Sequence, residues 1–460
     1  MKKLLVVLLS LGLIVAFSAT ASAVDVTFSG QYYVGGIYEN NPRLTPADEA
    51  GYVNYSHAFF YQRLRFQPVF KIAEGLTFTA RFDAIEKQWG NTNWATTTTD
   101  NMSSRRNQVL AVGTQSQKIQ ESIEFERTYV TFLTGIGAFQ VGYQNVDAWG
   151  TNFGDFNNSR ARIAYTTKAG PMTLALIYEK DYENDTNNTL IPAAQANATD
   201  ADKDTYAISG TYNGKGIEAG MLYKYYAYNN AKPSGVKTQM NLLSPYVKAT
   251  FGPVYIEGEA QYWFGKTAAY EAPAPAGTQD VDLQAYGAYL KGQMNAGPAY
   301  FGALFAYVSG NDLSDDTKNT ANPGGGGTSF DPTLILNAEP LSTWTNTGSV
   351  AAVNASKYNM ILYNAFVGFN PTPKWNVEAA LTYATVDKKA LSKTLGVVTE
   401  AVDDELGWEF DVKATYKIYD NLTYMIGAGY LWTGDYFKGS NSNNKIDDDY
   451  ILKNQLTLSF

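Results

Sequence analysis

Apolar and polar residues alternate one by one along most of the chain, and this period of two is typical of β-strands with one apolar and one polar face. The stretch RLRFQPVFKI places Leu64 and Phe66 on one face and Arg63 and Arg65 on the other. After an Ala-Glu-Gly turn the chain returns as LTFTARFDA with the same alternation. A short glycine-containing turn between two alternating runs predicts a β-hairpin.

The hairpin pattern repeats to the end of the chain. Tight connections lie near residues 73–75, 134–137, 168–171, 213–216, 252–253, 295–298, 370–374 and 419–421. Longer polar segments separate them, near residues 39–54, 90–118, 149–158, 183–202, 229–238, 267–280, 310–357, 387–405 and 438–449. Eight tight turns and nine long loops predict 18 strands in a single domain, residues 24–460.

An even number of strands, with short turns at one end and long loops at the other, predicts an all-β fold. We expect a transmembrane antiparallel β-barrel of about 18 strands, with short periplasmic turns and long extracellular loops. A soluble propeller or a stacked sandwich is the alternative. A propeller buries both faces of most strands, whereas here one face of nearly every strand is polar, so the alternation favours the barrel.

Both ends of the chain fit a barrel that is exported from the cytoplasm. A charged start, an apolar run from Leu4 to Phe17 and an Ala-Ser-Ala site predict a signal peptide, residues 1–23, cleaved before Val24. The run is shorter than the ~20 residues that a membrane-spanning helix needs. At the other end, the strand YILKNQLTLSF alternates up to Phe460. Because a closed barrel has no free edge, this strand is expected to pair with the first one.

Composition narrows the functional classes. The chain has no cysteine, which excludes disulfides, thiolate metal sites and cysteine nucleophiles. Its net charge of -9 argues against a nucleic-acid partner. His57 is the only histidine, and its neighbour Ser56 points to the opposite face of the strand. We therefore predict no enzyme activity, no catalytic residue, no metal site and no cofactor.

The signal peptide, the hairpin pattern and the terminal strand YILKNQLTLSF together resemble the outer-membrane porins of Gram-negative bacteria. The resemblance covers the whole mature chain, and its motifs are architectural. It implies an outer-membrane location, contact with outer-membrane lipids, and a water-filled channel for passive diffusion of ions and small hydrophilic solutes. It also implies that the insertion machinery recognises the C-terminal aromatic residue, here Phe460. Monomers and homotrimers both occur among such barrels, and the sequence does not separate them.

Two alternative functions stay open at this point. The barrel could be a substrate-preferring channel for anionic solutes or saccharides. It could also be a non-conducting structural or adhesion barrel, which would show no conductance in a bilayer. The sequence contains no motif that identifies the transported solute.

The polar faces of the strands carry an ordered set of charges. All the arginines lie before residue 163. Six of them are expected to form a pore-lining basic belt near mid-membrane: Arg63, Arg65, Arg81, Arg127, Arg160 and Arg162. The expected pore-lining acids lie elsewhere on the wall: Glu218, Glu257, Glu259, Glu378, Glu409 and Asp411. Opposed walls of opposite charge would produce an electric field across the pore. The alternative is that these charges only keep the lumen hydrated.

The longest connection, residues 310–357, has an apolar centre. Its segment SFDPTLILNAEPLSTW carries the side chains Phe330, Leu334, Ile335, Leu336 and Trp344. So many apolar groups are normally covered. We expect this segment to fold into or across the mouth as a lid that narrows the pore, with Gly324–Gly327 as a flexible connection. The alternative is packing against neighbouring loops or another subunit.

Overall fold

The computed structural model describes residues 24–44, 46, 56–89, 123–156, 158–183, 201–232, 235–271, 277–338 and 358–460. Within these ranges lie 18 long strands, numbered here in chain order: β1 Asp25–Glu39, β2 His57–Ala73, β3 Leu76–Gln88, β4 Ile123–Thr134, β5 Gly137–Val146, β6 Asn158–Ala169, β7 Met172–Tyr182, β8 Lys203–Gly214, β9 Ile217–Tyr228, β10 Val236–Phe251, β11 Val254–Tyr270, β12 Val281–Ala296, β13 Ala299–Val308, β14 Met360–Thr372, β15 Trp375–Thr385, β16 Glu405–Tyr419, β17 Leu422–Thr433 and β18 Asp449–Ser459.

The strands form one closed antiparallel sheet. Each strand pairs with its neighbours in the chain, and β1 also pairs with β18, from Gln31 opposite Ser459 to Glu39 opposite Ile451. The backbone of Phe460 extends this seam. Its N–H donates to the carbonyl of Gly30 at 3.0 Å, and its carbonyl accepts from the N–H of Gly30 at 2.7 Å. The predicted 18-stranded barrel is therefore confirmed, since closure leaves no unpaired edge.

Connections alternate in length around the barrel. Tight turns join β2 to β3 and every second pair after it, and long loops lie at the other end. Gly75 has a φ of 72° in the first turn, a left-handed conformation that glycine adopts without steric cost. In their described parts the loops contain a short strand Lys318–Asn319, a hairpin of Ala390–Thr394 and Val397–Glu400, and the 3-10 turns Asn152–Gly154 and Asp435–Lys438.

The two faces of the wall differ as the alternation predicts. Leu174, Leu176 and Ile208 on β7 and β8 are each about half exposed on the outer face, whereas Glu179 and Thr205 are buried on the inner face. Aromatic rings lie close together near the loop end, both across neighbouring strands, as in Tyr383 with Trp408, and along one strand, as in Tyr430 with Trp432. Among the described residues, no helix is long and apolar enough to cross a membrane.

Candidate functional site

Two loops fold into the barrel and meet inside it. The first, the short inner loop, is Asp147–Phe156 between β5 and β6, and the second, the long inner loop, is residues 309–338 between β13 and β14. The backbone N–H of Gly327 donates to the carbonyl of Phe153 at 2.6 Å, and that of Ser329 donates to the carbonyl of Asp155 at 2.9 Å. The loops therefore support each other through main-chain hydrogen bonds.

Gly327 is required where the two loops cross. A Cβ atom at this position would lie 2.2 Å from the carbonyl oxygen of Asp155, which is closer than any real contact. The run Gly324–Gly327, interpreted from the sequence as a flexible connection, is thus partly a packing feature, because a side chain would separate the loops.

The barrel wall holds the short inner loop through a carboxylate and a carbonyl. Glu259 on β11 accepts hydrogen bonds from the backbone N–H and the hydroxyl of Thr151, at 2.8 and 2.9 Å. The indole N–H of Trp149 donates to the carbonyl of Ser244 on β10 at 2.9 Å. Phe153 is fully buried and stacks on Tyr289 of β12, with ring centroids 5.5 Å apart.

Two titratable groups of the short inner loop have perturbed pKa values. Burial raises the pKa of the Asp155 carboxyl to about 6, although it accepts a 2.6 Å hydrogen bond from the backbone N–H of Trp149. Burial would also raise the pKa of Asp147, but the cations Lys224 and Arg160 outweigh it and hold the pKa at about 2. Asp147 is therefore a fixed negative charge, whereas the pKa of Asp155 places its titration near pH 6.

Glu409 on β16 clamps the long inner loop. One oxygen accepts from the backbone N–H groups of Leu334 and Ile335, at 2.9 and 2.7 Å, and the other accepts from Leu336 at 2.8 Å. Asp411, two residues along the same strand, lies 3.2 Å from the N–H of Leu334. Both carboxylates are buried, so these two predicted pore-lining acids contact the loop rather than open water.

The apolar side chains of the long inner loop are buried inside the barrel. Phe330, Leu334, Ile335 and Leu336 are each at most 6% exposed. They belong to one cluster with inward-facing residues of β12 to β18 and of β1 and β2, among them Tyr289, Val308, Met360, Leu362, Leu406, Leu431, Ile451, Ile37 and Tyr61. Trp344, the remaining residue of the predicted lid, lies outside the described residues.

Four predicted belt arginines lie together on β2, β3 and β4, and three of them pair with carboxylates on the same wall. Arg65 binds both oxygens of Asp83, at 2.8 and 2.7 Å. Arg63 lies 3.6 Å from Glu86, and its guanidinium covers the ring of Tyr33 at 4.9 Å.

A β-bulge supplies a further acid. Arg81 pairs with Arg127 and Phe82 pairs with Phe125, so Glu126 is an extra residue in β4. Its carboxylate accepts from the Nε of Arg81 at 2.8 Å and from Arg65 at 3.2 Å. Arg127 has no ion pair within the described part of the chain.

The other two predicted arginines, Arg160 and Arg162 on β6, belong to a separate network. Arg160 lies 2.9 Å from Asp147 and 3.1 Å from Asp181, and Arg162 lies 3.5 Å from Glu179. Lys224 on β9 completes the network, at 3.0 Å from Asp147 and 3.4 Å from Glu179. We name it the β6–β9 charge network.

The remaining predicted acids bind tyrosines and lysines. Glu218 accepts from the hydroxyl of Tyr246 at 2.9 Å. Glu257 accepts from Tyr255 and Tyr289, at 2.8 and 2.7 Å. Glu378 lies 3.1 Å from Lys413 and accepts from Tyr300 at 2.9 Å.

Sequence reasoning missed the acids that neutralise the arginines. Asp83, Glu179 and Asp181 share the polar parity of their strands, so the alternation could have identified them. Glu126 is out of parity and depends on the bulge, and Asp147 depends on the loop, so neither follows from alternation.

A cavity of about 410 Å³ lies between the short inner loop and the inner face of β6 to β11. The β6–β9 charge network lines one side of it. Trp149, Tyr226, Leu242 and Trp263 contribute aromatic and aliphatic surface on the other sides. The lumen therefore contains a pocket that is both charged and apolar.

Comparison with known proteins agrees with this architecture. The family model for Gram-negative porins matches residues 10–328. The chain belongs to the Gram-negative porin family. No curated protein matches this porin by sequence. Among solved structures it is similar to OccK8 (OprE) of Pseudomonas aeruginosa, with 9% identity, a TM-score of 0.51, and coverage of 95% of this chain and 98% of that chain.

Two other solved structures align over nearly the whole porin. The anion-selective porin from Comamonas acidovorans is 10% identical, with a TM-score of 0.44 and coverage of 95% and 100% of the two chains. The outer membrane channel DcaP of Acinetobacter baumannii is 12% identical, with a TM-score of 0.43 and coverage of 96% and 99%.

Family membership confirms the outer-membrane location and the channel function expected from the sequence. The barrel contacts outer-membrane lipids on its apolar outer face, and ions and small hydrophilic solutes diffuse through its interior. The family is one of channels rather than enzymes.

Proposed function

We propose that, at the level of the two inner loops, ions and solutes cross this porin along the inner faces of β2 to β10. The observation that supports this path is the apolar cluster of the long inner loop, which fills the side of the lumen next to β12–β18 and β1 and reaches the loop end of β2 at Tyr61. The opposite side carries the six predicted arginines, of which Arg63, Arg65, Arg160 and Arg162 keep 19–28% of their side chains accessible. Water and ions enter polar regions of a lumen far more readily than dry apolar ones.

The long inner loop acts as the predicted lid in this proposal. Phe330, Leu334, Ile335 and Leu336 hold it against the wall, and the Glu409 clamp fixes its backbone. Single-channel conductance of purified protein tests the idea directly. Deleting residues 331–341 should increase conductance, because the deletion removes the apolar segment and leaves β13 and β14 intact.

The chain offers a matched control for this deletion. Residues 390–400 form the loop hairpin, have the same length, and expose Leu395 almost completely to solvent. Removing them should leave conductance unchanged. Equal conductance of the 331–341 deletion and wild type, in proteins that both fold, would reject the lid.

The arginines have unequal roles in the proposed path. Arg65 and Arg81 are neutralised at short range by Asp83 and Glu126, so their fields largely cancel a few ångströms away. Arg127 has no such partner among the described residues, where its Nε also lacks a hydrogen-bond partner. We propose that Arg127 gives the pore a weak preference for anions.

We also propose that Phe460 is read by the insertion machinery and that the porin forms a homotrimer. A groove of about 590 Å³ on the outer face crosses the seam between β16–β18 and β1–β2. The small residues Gly36 and Ala428 and the polar Asn454 line it. A polar amide is poorly solvated by lipid, which favours burial against another copy of the chain. The mass of the detergent-solubilised porin tests the trimer, and a monomer would reject it.

A further inference from the structure

The cavity beside the short inner loop has features that a simple water-filled path does not need. It is enclosed by Trp149 and Gly154 from the short inner loop, by Pro323 from the long inner loop, and by the wall from β6 to β11. Its volume of about 410 Å³ falls within the roughly 300–1,000 Å³ that is typical of small-molecule sites. This volume suits a solute of one or two sugar rings.

The cations around the cavity are all paired with carboxylates. Three cations, Arg160, Arg162 and Lys224, contact three carboxylates, Asp147, Glu179 and Asp181, at 2.9–3.5 Å. A further carboxylate on the wall, Glu259, is already bound by Thr151 and Ser244. An anionic solute therefore meets no excess of opposite charge, because each cation already has a carboxylate partner at short range.

These groups still offer directional hydrogen bonds. A guanidinium has five N–H donors and a carboxylate has about four acceptor positions, so one ion pair leaves several of them available. Arg160 and Arg162 keep part of their side chains accessible, at 28% and 19%. A solute with several neighbouring hydroxyl groups, each of which can donate and accept a hydrogen bond, matches such an alternating set of donors and acceptors.

The other sides of the cavity are aromatic and aliphatic. Tyr226 and Trp263 stack with ring centroids 5.4 Å apart, and Leu242 packs in the same cluster. Trp149 stands edge-on to Tyr246 at 5.1 Å, held by its hydrogen bond to Ser244. Aromatic side chains combine a large apolar surface with a defined geometry, which suits the flat C–H face of a pyranose ring.

We propose that this cavity is a binding subsite for neutral saccharides of one or two rings, which pause there as they cross the porin. Hydroxyl groups would bind the β6–β9 charge network, and the ring face would lie on the apolar side near Trp149. The inference rests on the proposed path along β2 to β10, because the subsite borders that path.

Current recordings on the full-length porin in planar bilayers test the subsite. Glucose and maltose are added as the neutral probes, glucuronate as a ring of similar size with a negative charge, and a polyethylene glycol of similar mass as a size control. We expect maltose to reduce the ion current in a saturable way. The polyethylene glycol should give only a small, non-saturating reduction.

Variants of the short inner loop test the aromatic contribution. Trp149→Ala should raise the half-blocking maltose concentration about three- to tenfold, which matches the worth of one aromatic contact. Trp149→Phe keeps a ring and should stay within about twofold of wild type. Trp432→Ala, on the outer face of β17, is the matched control and should not change the block.

Three outcomes would overturn the inference: no saturable block by either sugar, a stronger block by glucuronate than by glucose, or equal block in wild type and Trp149→Ala. A mobility shift on unheated gels confirms that each variant is folded. The conductance without sugar is read from the same recordings. A porin that conducts as proposed but is not blocked rejects the subsite alone, whereas an unchanged conductance in the 331–341 deletion rejects the proposed path.

Discussion

Replacing Glu409 by glutamine should loosen the long inner loop and increase the open pore area. The carboxylate of Glu409 accepts hydrogen bonds from three consecutive backbone N–H groups, those of Leu334, Ile335 and Leu336. A glutamine side chain keeps one acceptor oxygen, and its amide N–H₂ would face at least one backbone donor. At least one of the three hydrogen bonds is therefore lost and replaced by a repulsive contact.

The size of the effect follows from the environment of the clamp. A hydrogen bond to a charged group contributes about 1.5–3 kcal/mol to stability. Since about 1.4 kcal/mol corresponds to a factor of ten, losing one bond raises the population of the released loop by a factor of roughly 10 to 150. A released state that is ~0.1% populated in wild type would then reach roughly 1–15% in the variant.

Single-channel recording detects such a population directly. Wild type should show a steady conductance, whereas Glu409→Gln should show brief transitions to a larger one. Glu378→Gln is the matched control, because Glu378 also points into the lumen but contacts Lys413 and Tyr300 instead of the loop. Its trace should resemble that of wild type.

One result would reject the role of Glu409 in holding the loop. If Glu409→Gln folds, as shown by its gel mobility before and after heating, and its trace is the same as wild type, the clamp does not hold the loop in place. The lid would then depend on apolar packing alone.

Three further predictions test separate parts of the structure. Arg127→Gln should shift the reversal potential toward cation preference at low salt. The shift should vanish at 1 M salt, where the screening length is ~3 Å. An unchanged reversal potential at low salt would exclude Arg127 from the path. Because burial raises the pKa of Asp155 from 3.8 to about 6, its contribution to the stability of the short inner loop is fully present below pH 3.8 and is lost as pH rises through about 6. Current noise should therefore grow between about pH 4 and about pH 6.5 and become pH-independent in Asp155→Asn, and noise that does not change with pH in wild type contradicts the assignment. Phe460→Ala should lower the amount of porin in the outer membrane, measured in membrane fractions, and an unchanged amount would argue against recognition of Phe460.

The barrel could be predicted from the sequence because its signals are local. A strand with one face toward lipid repeats every two residues, and a tight turn occupies two or three positions, so both are visible in a short window. The closing pair of strands follows from the same logic, since Phe460 ends an alternating run that needs a partner. The structure confirms that partner as β1.

The inner loops could be predicted only in part. The apolar segment around Leu334–Leu336 indicates burial, but its binding site on β16 is about 75 residues away in the chain. The short inner loop has no comparable apolar run, and its inward fold depends on Glu259 and Ser244, on strands distant in sequence. Contacts of this kind are not periodic, so no local pattern reports them.

The charges of the lumen show why counting residues from the sequence overstates the internal field. Six arginines on one side and six acids elsewhere suggest two opposed walls. In the structure, Asp83 and Glu126 lie beside the arginines, and Glu259 and Glu409 hold the inner loops. An ion crossing the pore responds to charges that are both accessible and uncompensated, because a pair separated by about 3 Å acts as a dipole whose field falls steeply with distance. We therefore expect selectivity to depend on groups that have no ion pair among the described residues, such as Arg127, and a single substitution there should outweigh the removal of a whole ion pair.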